Sequence, residues 1–207
     1  MKNLLLIVLP LLLMVGCSKE PINYEETLNE RDGVFYTKET NKPYSGPVFS
    51  LDEKGRNKRE SILEDGKMIT YNDFEWYENG KLHYKVTYKD GKEDGLQTWW
   101  YENGQKELKG TYKDGEEDGL HTYWHENGQK SGETTFKDGI EDGLHTLWHE
   151  NGQKKLKGTY KDGKADGLQT WWYENGQKNA ETTFKDGYKI SEECWDEDGN
   201  EMDCPRW

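Results

Sequence analysis

The chain has 207 residues, of which 31% are hydrophobic and 33% are charged, and its formal net charge is −13. Such an acidic chain repels polyanions, which excludes nucleic acid as an expected ligand. Low hydrophobicity with high charge is typical of disorder. However, nine Trp and thirteen Tyr recur with a strict period, which predicts a folded, elongated molecule without a globular core.

Residues 1–16 are predicted to be a lipoprotein signal peptide. Lys2 precedes an apolar run at residues 4–15, which is too short to span a bilayer as a mature helix. The run ends at Met14-Val15-Gly16-Cys17, which resembles a bacterial lipobox, so Cys17 is expected to be acylated and to anchor the chain in a membrane. The predicted location is the cell envelope, outside the cytoplasm, and Ser18 is compatible with the outer membrane. An ordinary secretory signal with an incidental Cys is the alternative.

Three short motifs divide the rest of the chain. Glu-Asn-Gly recurs every 24 residues, and Lys-Asp-Gly and Asp-Gly-Leu recur in the same step. A fixed period of this size is typical of a solenoid or an array of repeats. We therefore predict an acylated Cys and flexible tether at 17–30, degenerate repeats at 31–77, a regular array at 78–189 and a C-terminal capping half-repeat at 190–207.

Each repeat is predicted to form a β-hairpin. Residues 96–101 and 106–113 are rich in β-formers and are bounded by turn residues. A three-residue loop with Gly104 in the left-handed conformation places Trp100 opposite Lys106 and Thr98 opposite Leu108. A two-residue Asn-Gly turn would put the apolar residues of the two strands on different faces. We therefore predict the three-residue loop.

The predicted register gives the sheet two faces with different roles. One face is interpreted as structural, because its first-strand members do not vary between copies and its second-strand members vary in compensation. The other face varies at its first-strand positions, as expected of a surface tuned to a ligand; the alternative is that its aromatic side chains only pack across neighbouring strands. The structural set is Leu96, Trp100, Tyr112, Leu120, Trp124, Phe136, Leu144, Trp148, Tyr160, Leu168, Trp172 and Phe184, and the candidate binding set is Trp99, Tyr101, Tyr123, His125, Trp171 and Tyr173.

The motif from Asp94-Gly95-Leu96 through Glu102-Asn103-Gly104 to Lys113-Asp114-Gly115 looks like the bacterial MORN-type repeat variant. The arrangement over about residues 31–200 resembles the YwqK-like antitoxin family. The resemblance implies an all-β fold, an elongated single-layer antiparallel sheet of tandem β-hairpins with a period of 24 residues. For function it implies protein interaction, including neutralisation of a partner toxin.

No enzyme, cofactor or metal site is expected from the sequence. His121 and His125 would lie roughly 13 Å apart on a strand that rises about 3.3 Å per residue, too far to share an ion. Every candidate catalytic residue recurs in several copies, whereas an active site is normally a single constellation. Cys194 and Cys204 are predicted to form a disulfide in an oxidising compartment, and two free thiols are the alternative.

These observations predict a membrane-anchored lipoprotein whose repeats act as a protein-interaction scaffold at the bacterial cell envelope. One alternative is an immunity protein that neutralises a partner toxin. Another is glycan or peptidoglycan binding, because exposed aromatic side chains such as Trp99 and Trp171 stack well on sugar rings. A long sheet with a partly uncovered apolar face could also self-associate.

Overall fold

The structure is a computed structural model that describes residues 19–205. The predicted signal peptide and the acylation of Cys17 lie outside these residues. Between 19 and 205 the chain forms twenty β-strands and one four-residue α-helix. No helix in this part of the chain is long and apolar enough to cross a membrane.

The N-terminal segment packs against the sheet, although residues 17–30 were predicted to be a flexible tether. It forms β1 (Ile22–Asn23), α1 (Tyr24–Thr27), β2 (Leu28–Arg31) and β3 (Val34–Thr37). β1 pairs in parallel with β4 (Gly46–Leu51), and β2 pairs with β3. Leu28 is only 5% exposed and forms a small core with Val48 and Leu63. The prediction failed because this polar segment contains a few apolar residues, chiefly Leu28, that find partners at the end of the sheet.

The degenerate repeats keep the hairpin form. β4 is followed by β5 (Asn57–Glu64) and β6 (Lys67–Trp76), which pair antiparallel in sequence order. The loop between β4 and β5 closes through the Asp52 N–H, which donates to the Arg56 carbonyl at 2.8 Å. Asp65 and Gly66 both have positive φ and make the two-residue turn before β6.

The regular array continues the same antiparallel meander. In three of the repeats a two-residue strand leads into the first long strand of the hairpin, and each long strand pairs with the next. The result is one long open sheet, antiparallel except for the β1–β4 pair. Its strands are β7 (Leu82–Lys89), β8 (Lys92–Glu93), β9 (Gly95–Trp100), β10 (Lys106–Lys113), β11 (Glu116–Glu117), β12 (Gly119–Trp124), β13 (Lys130–Lys137), β14 (Ile140–Trp148), β15 (Lys154–Lys161), β16 (Lys164–Ala165), β17 (Gly167–Trp172), β18 (Lys178–Lys185), β19 (Tyr188–Trp195) and β20 (Glu201–Met202).

The three-residue loop predicted within each repeat is confirmed. The Tyr101 N–H donates to the Gln105 carbonyl and the Gly104 N–H donates to the Tyr101 carbonyl, both at 2.8 Å. Gly104 has a φ of +88°, which a residue with a side chain adopts only under strain. Trp100 lies opposite Lys106, as predicted.

Beyond this first pair the register differs from the prediction. Leu108 lies opposite Trp99, not Thr98, because the ladder shifts between Lys106 and Leu108 and leaves Glu107 as the extra residue of a β-bulge. Each of the next three repeats has the same shift after its loop. A bulge adds one residue to one strand, so every later side chain on that strand changes face.

The bulge therefore redistributes the side chains between the two faces. We call one side the aromatic face; it carries Gln97, Trp99, Leu108, Gly110, Tyr112 and their equivalents in other repeats. We call the other side the leucine face; it carries Leu96, Thr98, Trp100, Lys109, Thr111 and their equivalents. The predicted structural set is thus split, since Tyr112, Phe136, Tyr160 and Phe184 lie on the aromatic face and the Leu and Trp members lie on the leucine face.

The array ends in a shortened hairpin. β19 pairs with β18 along its length, but β20 covers only Cys194 and Trp195 of β19. Cys194 and Cys204 form a disulfide with a Cα–Cα distance of 5.3 Å. The bridge thus ties the last described residues back to the final full-length strand.

Candidate functional site

One column of side chains at the end of the first strand joins each repeat to the next. The Tyr101 hydroxyl donates to the Trp124 carbonyl at 2.7 Å, 23 residues further on, and Tyr173 makes the same bond to Trp195 at 2.9 Å. His125 Nε2 contacts the Trp148 carbonyl at 3.2 Å in the equivalent place. Tyr and His are interchangeable at this position because both reach the equivalent Trp carbonyl of the next repeat.

This geometry corrects the predicted role of three candidate binding residues. Tyr101, His125 and Tyr173 use their polar atoms to hold the repeats together, so their variation between copies is not variation of a ligand surface. A second column runs beside them, in which the loop Asn donates to the Glu carbonyl of the next loop. Its bonds include Asn103 to Glu126 at 2.7 Å and Asn151 to Glu174 at 2.6 Å.

The other three candidates pack on the aromatic face. The Trp99 ring contacts His83 and Tyr84, with ring centroids 5.5 and 4.8 Å apart. Trp171 lies between Leu156 and Ala180 in the ladder. Burial raises the pKa of Tyr123 above its ordinary value. These aromatic side chains pack across neighbouring strands, which is the alternative that the sequence left open.

The most buried row of the array also lies on the aromatic face and is polar. Gln97, His121 and Gln169 are between 0 and 2% exposed, although the sequence placed them on a solvated surface. The ring of His121 covers Gly110, and its Nε2 lies 2.8 Å from the Thr111 carbonyl. A large polar side chain over a glycine fills the space that a flat single-layer sheet would leave open.

The leucine face carries a row of exposed leucines beside a row of largely buried threonines. Leu96, Leu120, Leu144 and Leu168 are 46, 53, 42 and 52% exposed. Each lies opposite a Thr of the adjacent strand. The expectation that these leucines form the structural core is therefore wrong, because the bulge moves their predicted second-strand partners to the other face.

A column of tryptophans lies on the same leucine face. Trp124, Trp148 and Trp172 are half-buried, and each lies under a Lys of the preceding repeat at 5.7 to 5.9 Å from the ring centroid. Such cation–π contacts keep the lysine charge on the surface while its aliphatic stem covers part of the ring. These three Trp members of the predicted structural set are thus partly covered by a lysine, unlike the Leu members.

The described residues contain one group of three potential metal ligands, Glu192 with Cys194 and Cys204. Both sulfur atoms belong to the disulfide, so this group is not a ready metal site. Two shallow depressions lie between adjacent loops at His125 and Glu150. The His125 imidazole contacts a backbone carbonyl there. The site that the geometry offers is therefore a surface, the leucine face.

The MORN repeat variant family matches five successive stretches, residues 74–90, 93–114, 117–138, 141–162 and 165–186. No curated protein matches the chain. The matched stretches coincide with the hairpins of the regular array, whose loops, bulges and inter-repeat bonds recur in the same step. The chain belongs to the MORN repeat variant family.

Proposed function

We propose that this protein is a repeat-built scaffold that binds a protein partner through its leucine face. The observation that supports the proposal is the ladder of four exposed leucines, Leu96 to Leu168, at identical positions of four successive repeats. A regular row of exposed apolar side chains on one face, rather than isolated ones, is the kind of surface that marks an interaction site. The ladder has polar threonines between its members, as a surface that must stay soluble when unoccupied requires.

We also propose that the scaffold is anchored at the cell envelope by acylation of Cys17. The support is the apolar run at 4–15 and the Met14-Val15-Gly16-Cys17 motif that follows it. When the full chain is expressed in bacteria fed labelled palmitate, the wild type should carry the label and Cys17→Ser should not. Equal labelling of the two would contradict the anchor.

A variant pair tests the proposed binding surface. The wild-type chain and the double variant Leu120→Ser/Leu144→Ser (the leucine variant) are each used to capture partners from lysate of the source cells. Captured proteins are identified by mass spectrometry. The matched control is Met202→Ser, which removes an apolar side chain of 43% exposure on the aromatic face. We expect one stoichiometric partner with the wild type and the control and its loss with the leucine variant. Retention by the leucine variant would contradict the proposal.

The two alternatives fare differently against this geometry. An immunity role needs a partner toxin, so a toxin captured through the leucine face would be a special case of the same proposal. Glycan binding rested on Trp99, Tyr101, Trp171 and Tyr173. Because two of these bond to the next repeat and two pack against neighbouring strands, we do not include glycan binding in the proposal.

A further inference from the structure

We infer that the leucine face binds an extended acidic segment of the partner, laid across the strands, with an apolar residue at about every third position. The inference rests on the proposed function and adds the chemistry of the bound partner. It follows from three features of the face, namely its charge, its period and the acidic edges on both sides of it.

The first feature is positive charge within a strongly acidic chain. In each Lys-Asp-Gly motif the Lys lies two residues after the Thr that faces the Leu, and so on the same face. These lysines are exposed and form a row beside the leucine ladder: Lys89, Lys113, Lys137, Lys161 and Lys185. Acidic residues lie among them, since Glu116 pairs with Lys113 across the strands and the Asp of the Asp-Gly-Leu motifs reaches the Lys-Asp-Gly turns. Within residues 19–205, only Lys185 of this row makes a salt bridge, to Asp166.

The other side of the ladder is not acidic either. The next row contains Lys85, Lys109 and Lys157, together with Glu133 and Glu181. Both glutamates are paired with lysines of the same face, Glu133 with Lys130 and Glu181 with Lys178. On this side of the ladder the unpaired charges are therefore those of lysines, which gives electrostatic complementarity to an acidic segment.

The second feature is the period of the ladder. Successive leucines are two strands apart, which is about 9.5 Å at the usual strand spacing. An extended polyproline II segment rises about 3.1 Å per residue and repeats every three residues, or roughly 9.3 Å. Apolar residues at every third position of such a segment would therefore meet successive leucines, and the residues between them would reach the lysine rows.

The third feature limits the width of the ligand. The leucine face is bordered by the exposed Glu of each loop on one edge, such as Glu126, and by the Asp of each turn on the other, such as Asp138. A broad anionic surface would bring its charge against both edges, whereas a single extended chain meets only the strip between them. A narrow acidic polypeptide fits better than an anionic bilayer.

Synthetic peptides test this inference with the full chain. The probe is a labelled peptide of about fifteen residues built from repeated Pro-Glu-Leu, which spans roughly 46 Å as a polyproline II helix. Controls are a scrambled peptide of the same composition and a repeated Pro-Lys-Leu peptide of the same length. Fluorescence anisotropy should show binding of the Pro-Glu-Leu peptide, weakened by salt, and about tenfold weaker binding of both controls.

A charge-reversal variant locates the site. Lys113→Glu/Lys137→Glu/Lys161→Glu should weaken peptide binding about tenfold, because several exposed ion pairs change sign together. The matched control has the same change in net charge away from the leucine face, Lys42→Glu/Lys54→Glu/Lys155→Glu, and should bind as the wild type does. Circular dichroism checks that both variants keep their sheet.

Several outcomes would overturn the inference. They are equal binding of ordered and scrambled peptides, equal loss in both lysine variants, or recruitment to anionic vesicles that only the leucine-face lysine variant loses. If Leu120→Ser/Leu144→Ser loses its captured partner while no acidic peptide binds the wild type, this inference fails and the proposed function stands. If that leucine variant keeps its partner, both fail.

Discussion

A single hydroxyl or imidazole at the end of each first strand determines how one repeat attaches to the next. Tyr77, Tyr101 and Tyr173 donate to a tryptophan carbonyl about one repeat ahead, and His125 and His149 occupy the same place. The residue type varies while the bond is kept. Variation between copies at this position therefore indicates that either Tyr or His can make the contact with the next repeat.

Removing one of these hydroxyls should weaken the array. Tyr101→Phe leaves the Trp124 carbonyl without its donor, and we expect a loss of about 1 kcal/mol in the free energy of unfolding. Tyr188→Phe is the control, because Tyr188 is 77% exposed. Urea denaturation of the two variants checks the difference. Equal stability would show that water replaces the bond without cost.

Tyr112 should make the fold sensitive to alkali. Burial, aided by the charge of the neighbouring Glu117, raises the pKa of Tyr112 to about 12, above the ordinary value of 10.0. A folded-state pKa above the unfolded one means that the native chain holds its proton longer. The resulting stabilisation is complete below about pH 10 and is lost as the pH rises toward 12.

Urea denaturation of the wild type and Tyr112→Phe at about pH 8 and about pH 11 checks this prediction. The wild type should lose more stability between the two pH values than the variant does. The phenolate absorbance of the wild type should also contain a late-titrating component that the variant lacks. A variant with the same pH dependence as the wild type would contradict the assignment to Tyr112.

At the scale of the element, the sequence predicted the hairpin but not its irregularity. Glu-Asn-Gly and Asp-Gly are strong turn signals, so the loop at Gly104 and the strands beside it were predictable. The bulge at Glu107 carries no such signal, because that position holds Glu, Ser, Lys or Asn in successive repeats. This one extra residue, which no sequence signal indicates, moves both Leu108 and Tyr112 to the other face of the sheet.

A signal for the true register was nevertheless present in the strands. Gln97 and His121 are large polar residues on either side of Gly110 in the ladder, and the His121 ring covers that glycine. Pairing Gly110 with Gln97 instead of Leu96 would have required the bulge. The sequence alone could not make that choice, because both pairings satisfy the large-with-small rule.

The two strand glycines that lie in neighbouring repeats should respond differently to a methyl group. A Cβ at Gly110 would lie 2.5 Å from the ring of the buried His121, which has no room to move. A Cβ at Gly132 would lie 3.3 Å from Leu147, a contact that a small shift relieves. We expect Gly110→Ala to cost about 1–3 kcal/mol by overpacking and Gly132→Ala to cost clearly less.

Thermal or urea unfolding of the two alanine variants checks this pair. Both glycines are buried within strands, away from the strand ends. The effect of β-sheet propensity on stability is therefore the same for the two substitutions. Equal losses would mean that the glycines are needed for their backbone freedom and that His121 does not lie over Gly110. That result would contradict the register of the structure.

At the scale of the whole molecule, the array is a one-dimensional stack with unlike ends and unlike faces. Each repeat contacts only its neighbours, so stability is expected to build from repeat-to-repeat terms such as the Tyr and Asn columns. The N-terminal end is covered by β1 and α1, and the C-terminal end is closed by the disulfide of Cys194 with Cys204. The family resemblance and the 24-residue period were enough to predict this architecture, but they did not predict which face stays open.

The leucine row is open to solvent, whereas the Gln, His and Thr rows at the centre of the aromatic face are closed. The most direct test compares the maleimide reactivity of Leu120→Cys and Thr134→Cys, each in a Cys17→Ser background. Leu120 is 53% exposed on the leucine face, whereas Thr134 is 4% exposed on the aromatic face. We expect rapid labelling at position 120 and protection at position 134. Protection at both positions would contradict it, because the register without a bulge places both residues on one covered face.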